Sequence, residues 1–350
     1  MTTGAAILVG FVVVALLFDF LNGFNDSANI VATMIASRAM TPKGALVIAA
    51  CFEFAGPFLF GVAVATTIGQ QIVDPRVLTT MLVTAALVAA IVWNLFTWRA
   101  GIPSSSSHAL IGGLVGSAVT AQFIHHVQNG SFHHIADLAS VGQVIHPHGL
   151  MKVITALLLS PALGFVAGAI AIKAAYFFAR NEGPGPANRF FKRMQIPASM
   201  ALALSHGAND AQKTMGLIAM ALFASGATRQ FVVPMWVVAA CAGAIALGTA
   251  VGGHRQIKTI GSKFYKIRPI HGFTTQVSST LLIVMASVLG GPVSTTHVVS
   301  SAVMGAGSAE QLSKVRWGVG KQILAAWVLT IPAAAVVAAL VYAALYAVSS

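Results

Sequence analysis

Charge is what this sequence has least of. Only 8% of its 350 residues are Asp, Glu, Lys or Arg, against 57% hydrophobic. A soluble domain carries about 25% charged residues, so there is too little charge here to coat a water-facing globule. Strand-length alternation of polar and apolar residues is also missing, which argues against a transmembrane barrel. Cysteine is scarce: Cys51 and Cys241 lie inside apolar runs without metal-type spacing, and read as core residues. No Lys or Arg precedes the apolar run from Ala5 to Leu17, which argues against a cleaved secretory signal. Aromatic residues are not interleaved with the basic ones, so the net charge of +12 implies no nucleic-acid partner. The basic residues fall in short stretches between apolar runs, where they face anionic lipid headgroups and orient the chain.

What is present is a series of apolar runs of roughly 20 residues, each long enough to cross a hydrocarbon core of about 30 Å as a helix. They predict an all-α polytopic membrane protein of about ten to twelve transmembrane or re-entrant helices, in two inverted repeats. The runs cover about 5–37, 44–70, 77–98, 103–124, 151–179, 197–225, 231–253, 272–289, 292–307 and 322–347. The first is too long for one straight crossing and is expected to break at Asn22-Gly23-Phe24-Asn25-Asp26; the sixth is likewise expected to be interrupted. The ninth is short enough to be half of a re-entrant hairpin, and hairpin or full span stays open for 103–124 and 292–307. With the N-terminus outside, the inner segments collect Arg38, Lys43, Arg99, Arg180, Arg189, Lys192, Arg193, Arg255, Lys258, Lys263, Lys266, Arg268, Lys314, Arg316 and Lys321. The opposite orientation would put this excess outside, so the positive-inside rule places both termini out, in the cell membrane.

The chain repeats itself. Gly23-Phe24-Asn25-Asp26 recurs as Gly207-Ala208-Asn209-Asp210, and Ala49-Ala50-Cys51 as Ala239-Ala240-Cys241. Pro103-Ser104-Ser105-Ser106-Ser107-His108 recurs as Pro292-Val293-Ser294-Thr295-Thr296-His297, with Gly116 and Gly305 at the same distance beyond. The expected organisation is a first repeat over 1–179, a cytoplasmic linker over 180–196 and a second repeat over 197–350. In the alternating topology the two Asn-Asp runs travel in opposite directions, an inverted repeat of the kind secondary transporters use.

The motifs carry chemistry. A carboxylate at membrane depth is costly and marks a substrate or ion path. The glycine before each Asn-Asp is expected to permit an unwound turn that frees carbonyls for a cation. The Pro-led Ser/Thr runs are expected to open helices, Pro in the first turn, whose hydroxyls and unpaired N–H groups suit an oxyanion. Glu53 stands alone in the second span with no nearby cation, and its counterpart is Gly243. Lys213, three residues after Asp210, is placed to neutralise it and to fill the second cation site. His108 and His297 read equally well as packing groups at the hairpin tips.

At these residues the chain resembles the PiT family of inorganic phosphate transporters, to which vertebrate sodium–phosphate symporters and bacterial low-affinity phosphate carriers belong. The resemblance covers nearly the whole chain and is carried by Asn22 through Asn29, Pro103 through Gly113, Ser205 through Thr214, and Gly291 through His297. It implies phosphate import driven by a cation gradient. The phosphate-binding candidates are Ser104, Ser105, Ser106, Ser107, Ser294, Thr295, Thr296, Asn25, Asn209, Lys213 and Thr214; the coupling-ion candidates are Asp26, Asn29, Asp210 and Glu53. No bound cofactor is implied beyond the coupling cation, H⁺ or Na⁺. Bacterial relatives have His where this chain has Asn25. The second motif continues Ala211-Gln212-Lys213-Thr214 where sodium-coupled members repeat Ala-Asn, and Gln276 stands where those members have an acid. These departures lean toward the proton, with the favoured proton site at Glu53 and sodium at Asp26 as the alternative.

Six histidines, His125, His126, His133, His134, His146 and His148, crowd one outer loop. The first four are metal-ligand candidates for a divalent ion carried as metal–phosphate, although an adventitious surface loop is the weightier reading. The expected partners are inorganic phosphate and membrane lipid, with a homodimer left open. Two rivals remain: a permease for sulfate or another tetrahedral oxyanion, and an intramembrane Ser/His hydrolase.

Overall fold

A chain in hydrocarbon must satisfy its backbone internally, and helices do so within one segment. The computed structural model describes residues 3–73, 79–102, 104–129, 145–253, 257–259 and 267–349. Among them are eleven α-helices: α1 (Thr3–Ala36), α2 (Pro42–Leu59), α3 (Ala63–Gln70), α4 (Thr80–Ala100), α5 (Ser106–Gln128), α6 (Pro147–Ala179), α7 (Pro184–Ala224), α8 (Met235–Val251), α9 (Pro269–Val288), α10 (Thr295–Gln311) and α11 (Trp317–Ser349). Beta structure among the described residues is one isolated antiparallel bridge, Val73 to Ile145. Six helices, α1, α2, α4, α5, α6 and α11, are long and apolar enough to cross a membrane; α8 is apolar but shorter. That is fewer than the ten runs, because α7, α9 and α10 carry the polar motifs and α10, with 17 residues, spans only about 26 Å.

Four expectations are corrected. The first run does not break: α1 is one helix of 34 residues straight through Asn22–Asp26. Its Gly23 serves a close crossing. A Cβ there would fall on the backbone carbonyl of Ile245 in α8, and Gly207 in α7 is pressed in the same way against the carbonyl of Glu53 in α2. Small residues let membrane helices approach backbone to backbone, so glycine here is selected by the neighbour, and no unwound turn frees carbonyls. The second run, in contrast, does break. It divides into α2 and α3 at a turn where Gly61 holds φ +70°, and the side chain of Gln212 accepts hydrogen bonds from Val64 N (2.9 Å) and Ala65 N (3.2 Å), covering the start of α3. The expected linker is mostly helix as well: residues 184–196 form the opening turns of the 41-residue α7, which continues through Pro197 and the second Asn-Asp motif, so the sixth run is not interrupted either.

Helix contacts follow the repeat. Exchanging α1 with α7, α2 with α8, α4 with α9, α5 with α10 and α6 with α11 maps the packed pairs onto one another: α1–α8 onto α7–α2, α4–α11 onto α9–α6, and α5–α11 onto α10–α6. Gly116 and Gly305, matched in sequence, meet backbone carbonyls of α11 (Ala335) and α6 (Phe165) respectively. Large apolar side chains such as Phe178 and Val348 lie on the outer surface, the side a membrane covers, while polar side chains collect inside.

Candidate functional site

The polar interior is built where α1 and α7 cross between the starts of α5 and α10. Both of the latter helices begin from an extended residue whose hydroxyl is a cap: Ser105 Oγ accepts from His108 N (3.2 Å), and Ser294 Oγ from His297 N (3.3 Å). Pro292 therefore lies two residues before the cap, outside the first turn where it was expected; Pro103 lies outside the described residues. The caps leave the N–H groups of Ser106, Ser107, Thr295 and Thr296 without partners inside their helices. The two starts meet, with the His108 and His297 rings 4.4 Å apart and Ser107 Oγ donating to Val293 O at 3.2 Å. His297 also stacks on Trp327 (3.9 Å), so both histidines pack the tips together.

Two aspartates stand beside these helix starts, both buried. Thr296 Oγ1 donates to Asp26 Oδ1 (2.8 Å) and accepts from Asn29 Nδ2 (3.0 Å). Thr295 Oγ1 donates to Asp210 Oδ2 (3.2 Å), which also accepts from Asn22 Nδ2 (3.4 Å). Lys213 Nζ donates to Asp210 Oδ1 (2.7 Å), as its spacing suggested, and in addition to Ser107 Oγ (2.6 Å) and Val293 O (3.1 Å). Asn209 Nδ2 reaches Ser287 Oγ (2.9 Å) and Gly291 O (3.3 Å), and Asn25 Nδ2 reaches Asn94 O (3.4 Å), so each motif asparagine ties its helix to the segment leading into a Ser/Thr start.

Glu53 is not alone. His206 of α7 places Nδ1 2.5 Å from Glu53 Oε1, and turns Nε2 toward Asp26 Oδ2 (3.7 Å) and Asp210 Oδ2 (3.5 Å). One imidazole thus links three carboxylates from α1, α2 and α7. One ligand atom from each of Asp26, His206 and Asp210 lies within 4.8 Å of the others, a group that could hold a metal or other cation. Sequence reading quoted His206 without assigning it a role: Asp210 stands four residues on along the same helix, but Asp26 and Glu53 reach it from other helices. The signal was there in the repeat: the register that places Asp26 on Asp210 also places Asn22 on His206, and each of these reaches across to the other repeat's aspartate. Asp19 was missed altogether. It is buried in α1 and accepts from Thr214 Oγ1 (2.9 Å).

The remaining candidates separate. Ser104 bonds Thr97 Oγ1 (2.7 Å), away from the aspartates. Thr214 is committed to Asp19. Gln276 faces α1, donating to Thr33 Oγ1 (3.2 Å) and Ile30 O (3.4 Å). His125 and His126 sit at the end of α5 with ring centroids 6.2 Å apart, and His126 Nδ1 contacts Gln122 O of its own helix (3.0 Å); His133 and His134 lie outside the described residues.

Two helix starts around buried carboxylates, inside an all-helical bundle with an apolar exterior, define a multi-pass membrane transporter. Residues 22–338 match the phosphate transporter family. A protein of Rhizobium meliloti (strain 1021) named "Probable low-affinity inorganic phosphate transporter" is 43% identical over 97% of both chains. One of the same name from Bacillus subtilis (strain 168) is 41% identical over 95% of both. A solved structure described as "The sodium-dependent phosphate transporter" superposes with a TM-score of 0.81 at 27% identity, covering 97% of this chain and 99% of that one. The chain belongs to the phosphate transporter family, and is a transporter rather than an enzyme. The hydrolase alternative is set aside by this kinship, and Ser105, the serine in contact with His108, is occupied as a helix cap.

Proposed function

We propose that this chain imports inorganic phosphate across the cell membrane by cation symport, with both termini outside and the two halves acting as inverted repeats. The observation that carries the proposal is the meeting of the α5 and α10 starts beside Asp26 and Asp210. Four helix N-terminal N–H groups and the hydroxyl of Ser106 offer an oxyanion neutral donors, which hold it without the grip of an arginine cluster and so allow release. The hydroxyls of Ser107, Thr295 and Thr296 line the same place but donate to Val293 O, Asp210 and Asp26. Asp26 and Asp210 accept hydrogen bonds from a protonated phosphate and repel sulfate, which has no proton to offer.

Cation coupling falls to the carboxylates behind the tips. Asp26, with Asn29 and Thr296, supplies oxygen ligands of the kind sodium takes. Glu53 with His206 supplies a carboxyl–imidazole pair able to hold and pass one proton, and we place the driving proton there. The helix contacts that interchange between halves support alternating exposure by rocking one half against the other. The deciding experiment is uptake of radiolabelled phosphate into proteoliposomes with pH and sodium gradients imposed separately. Accumulation driven by an inward proton gradient, resisted by excess sulfate only weakly, is the expected result; uptake that equilibrates without any gradient dependence defeats the symport reading.

A further inference from the structure

We infer that the ammonium of Lys213 is a covalently tethered cation filling the second of two equivalent ion sites, so that this transporter binds one coupling cation fewer than its architecture provides. The inference rests on the symport reading above. Its basis is the internal register: superposing Asp26 on Asp210 superposes Asn29 on Lys213, and superposing His108 on His297 superposes Ser107 on Thr296. The contacts follow the same correspondence. Asn29 Nδ2 donates to Thr296 Oγ1, a hydroxyl at the start of α10, and that hydroxyl bonds Asp26. Lys213 Nζ donates to Ser107 Oγ, the equivalent hydroxyl at the start of α5, and bonds Asp210 directly.

The oxygens around Nζ make a cation's ligand set. They are one carboxylate oxygen at 2.7 Å, one hydroxyl at 2.6 Å, and the carbonyl of Val293 at 3.1 Å. Val293 precedes α10 outside regular structure, so its carbonyl faces Nζ and Ser107 Oγ and not a helical N–H, as carbonyls of unwound segments face sodium in secondary transporters. An ammonium has three N–H donors, and each has an oxygen. Lys213 is 1% exposed and its Nζ lies on Asp210 Oδ1, so a mobile ion bound there would have to displace a fixed charge. At Asp26 the equivalent residue is a neutral amide, and that position is left to an exchangeable cation. Lys213 thus sets the number of ions per phosphate.

The test uses the full-length protein in proteoliposomes with membrane potential clamped and a constant pH gradient. In Lys213→Asn, which installs the residue the other half carries, a tenfold inward sodium gradient should raise the phosphate plateau about tenfold more than it does in wild type, the factor one added coupled ion contributes. K213R keeps the charge and should respond to sodium as wild type does. The same sodium response in K213N and wild type overturns the inference. Should K213N not yield folded protein, wild type decides: at a constant pH gradient, a plateau that follows no more than the first power of the sodium gradient supports one exchangeable cation site, at Asp26, and a second-power dependence overturns the inference. Absence of labelled phosphate exchange in wild type would instead strike the transport reading itself, so the two failures are distinguishable.

Discussion

Replacing Glu53 by Gln separates coupling from folding. In the native protein Glu53 Oε1 lies 2.5 Å from His206 Nδ1, both buried, at the point where Gly207 brings α7 onto the Glu53 backbone. Gln has the same length and keeps an acceptor oxygen facing the imidazole, so the packing of α2 on α7 is retained. A hydrogen bond to a charged group contributes about 1.5–3 kcal/mol and a neutral one about 0.5–1.5, so the substitution should cost about 1–2 kcal/mol, tolerable for a bundle of this size. What Gln cannot do is release a proton. Each pH unit of gradient is worth about 1.4 kcal/mol per coupled proton, or about tenfold accumulation, and E53Q should forfeit that factor. The assay compares accumulation of labelled phosphate under a one-unit inward pH gradient with exchange between equal phosphate pools at equal pH. Exchange requires no net proton release and should persist. Loss of exchange too would assign Glu53 to the phosphate site or the fold, and undiminished uphill uptake would remove it from the mechanism.

Gly23→Ala and Gly207→Ala each push a methyl into a facing backbone carbonyl, which cannot rotate away, and should cost about 1–3 kcal/mol as overpacking; unchanged thermal unfolding in detergent would refute the close-crossing role of these glycines. Ser105→Ala removes the cap of α5 and should lower stability by about 1 kcal/mol, with the apparent affinity for phosphate moving less than in a Ser106→Ala variant; the reverse order of effects on uptake kinetics refutes the cap assignment. Thr296→Val deletes the hydroxyl between Asp26 and Asn29 while keeping shape. It should weaken the apparent affinity for a sodium ion at Asp26 by about 1.5–3 kcal/mol, and sodium titration of uptake at saturating phosphate checks it.

The fold was largely legible because hydrocarbon imposes a coarse code: an apolar run of the right length must be helical, and duplication showed as matching motifs. The Asn-Asp and Ser/Thr signatures were legible for the same reason, since polar groups at membrane depth stand out against their surroundings. Lys213 and Asp210 could be paired from three-residue spacing on one helix.

What the sequence alone could not supply is which helix faces which. Gly23 looks identical whether it unwinds a helix or admits a neighbour, and the carbonyl of Ile245 that decides the matter is more than two hundred residues away. Glu53 seemed solitary because along the chain it is, whereas His206 reaches it from another helix. The Ser/Thr runs offered many hydroxyls without order. Only the backbone path sorted them into Ser105 and Ser294 as caps, Thr295 and Thr296 on the two aspartates, and Ser107 on Lys213. Burial in a medium without water fixes what must be paired; the crossing of helices from two halves fixes with whom.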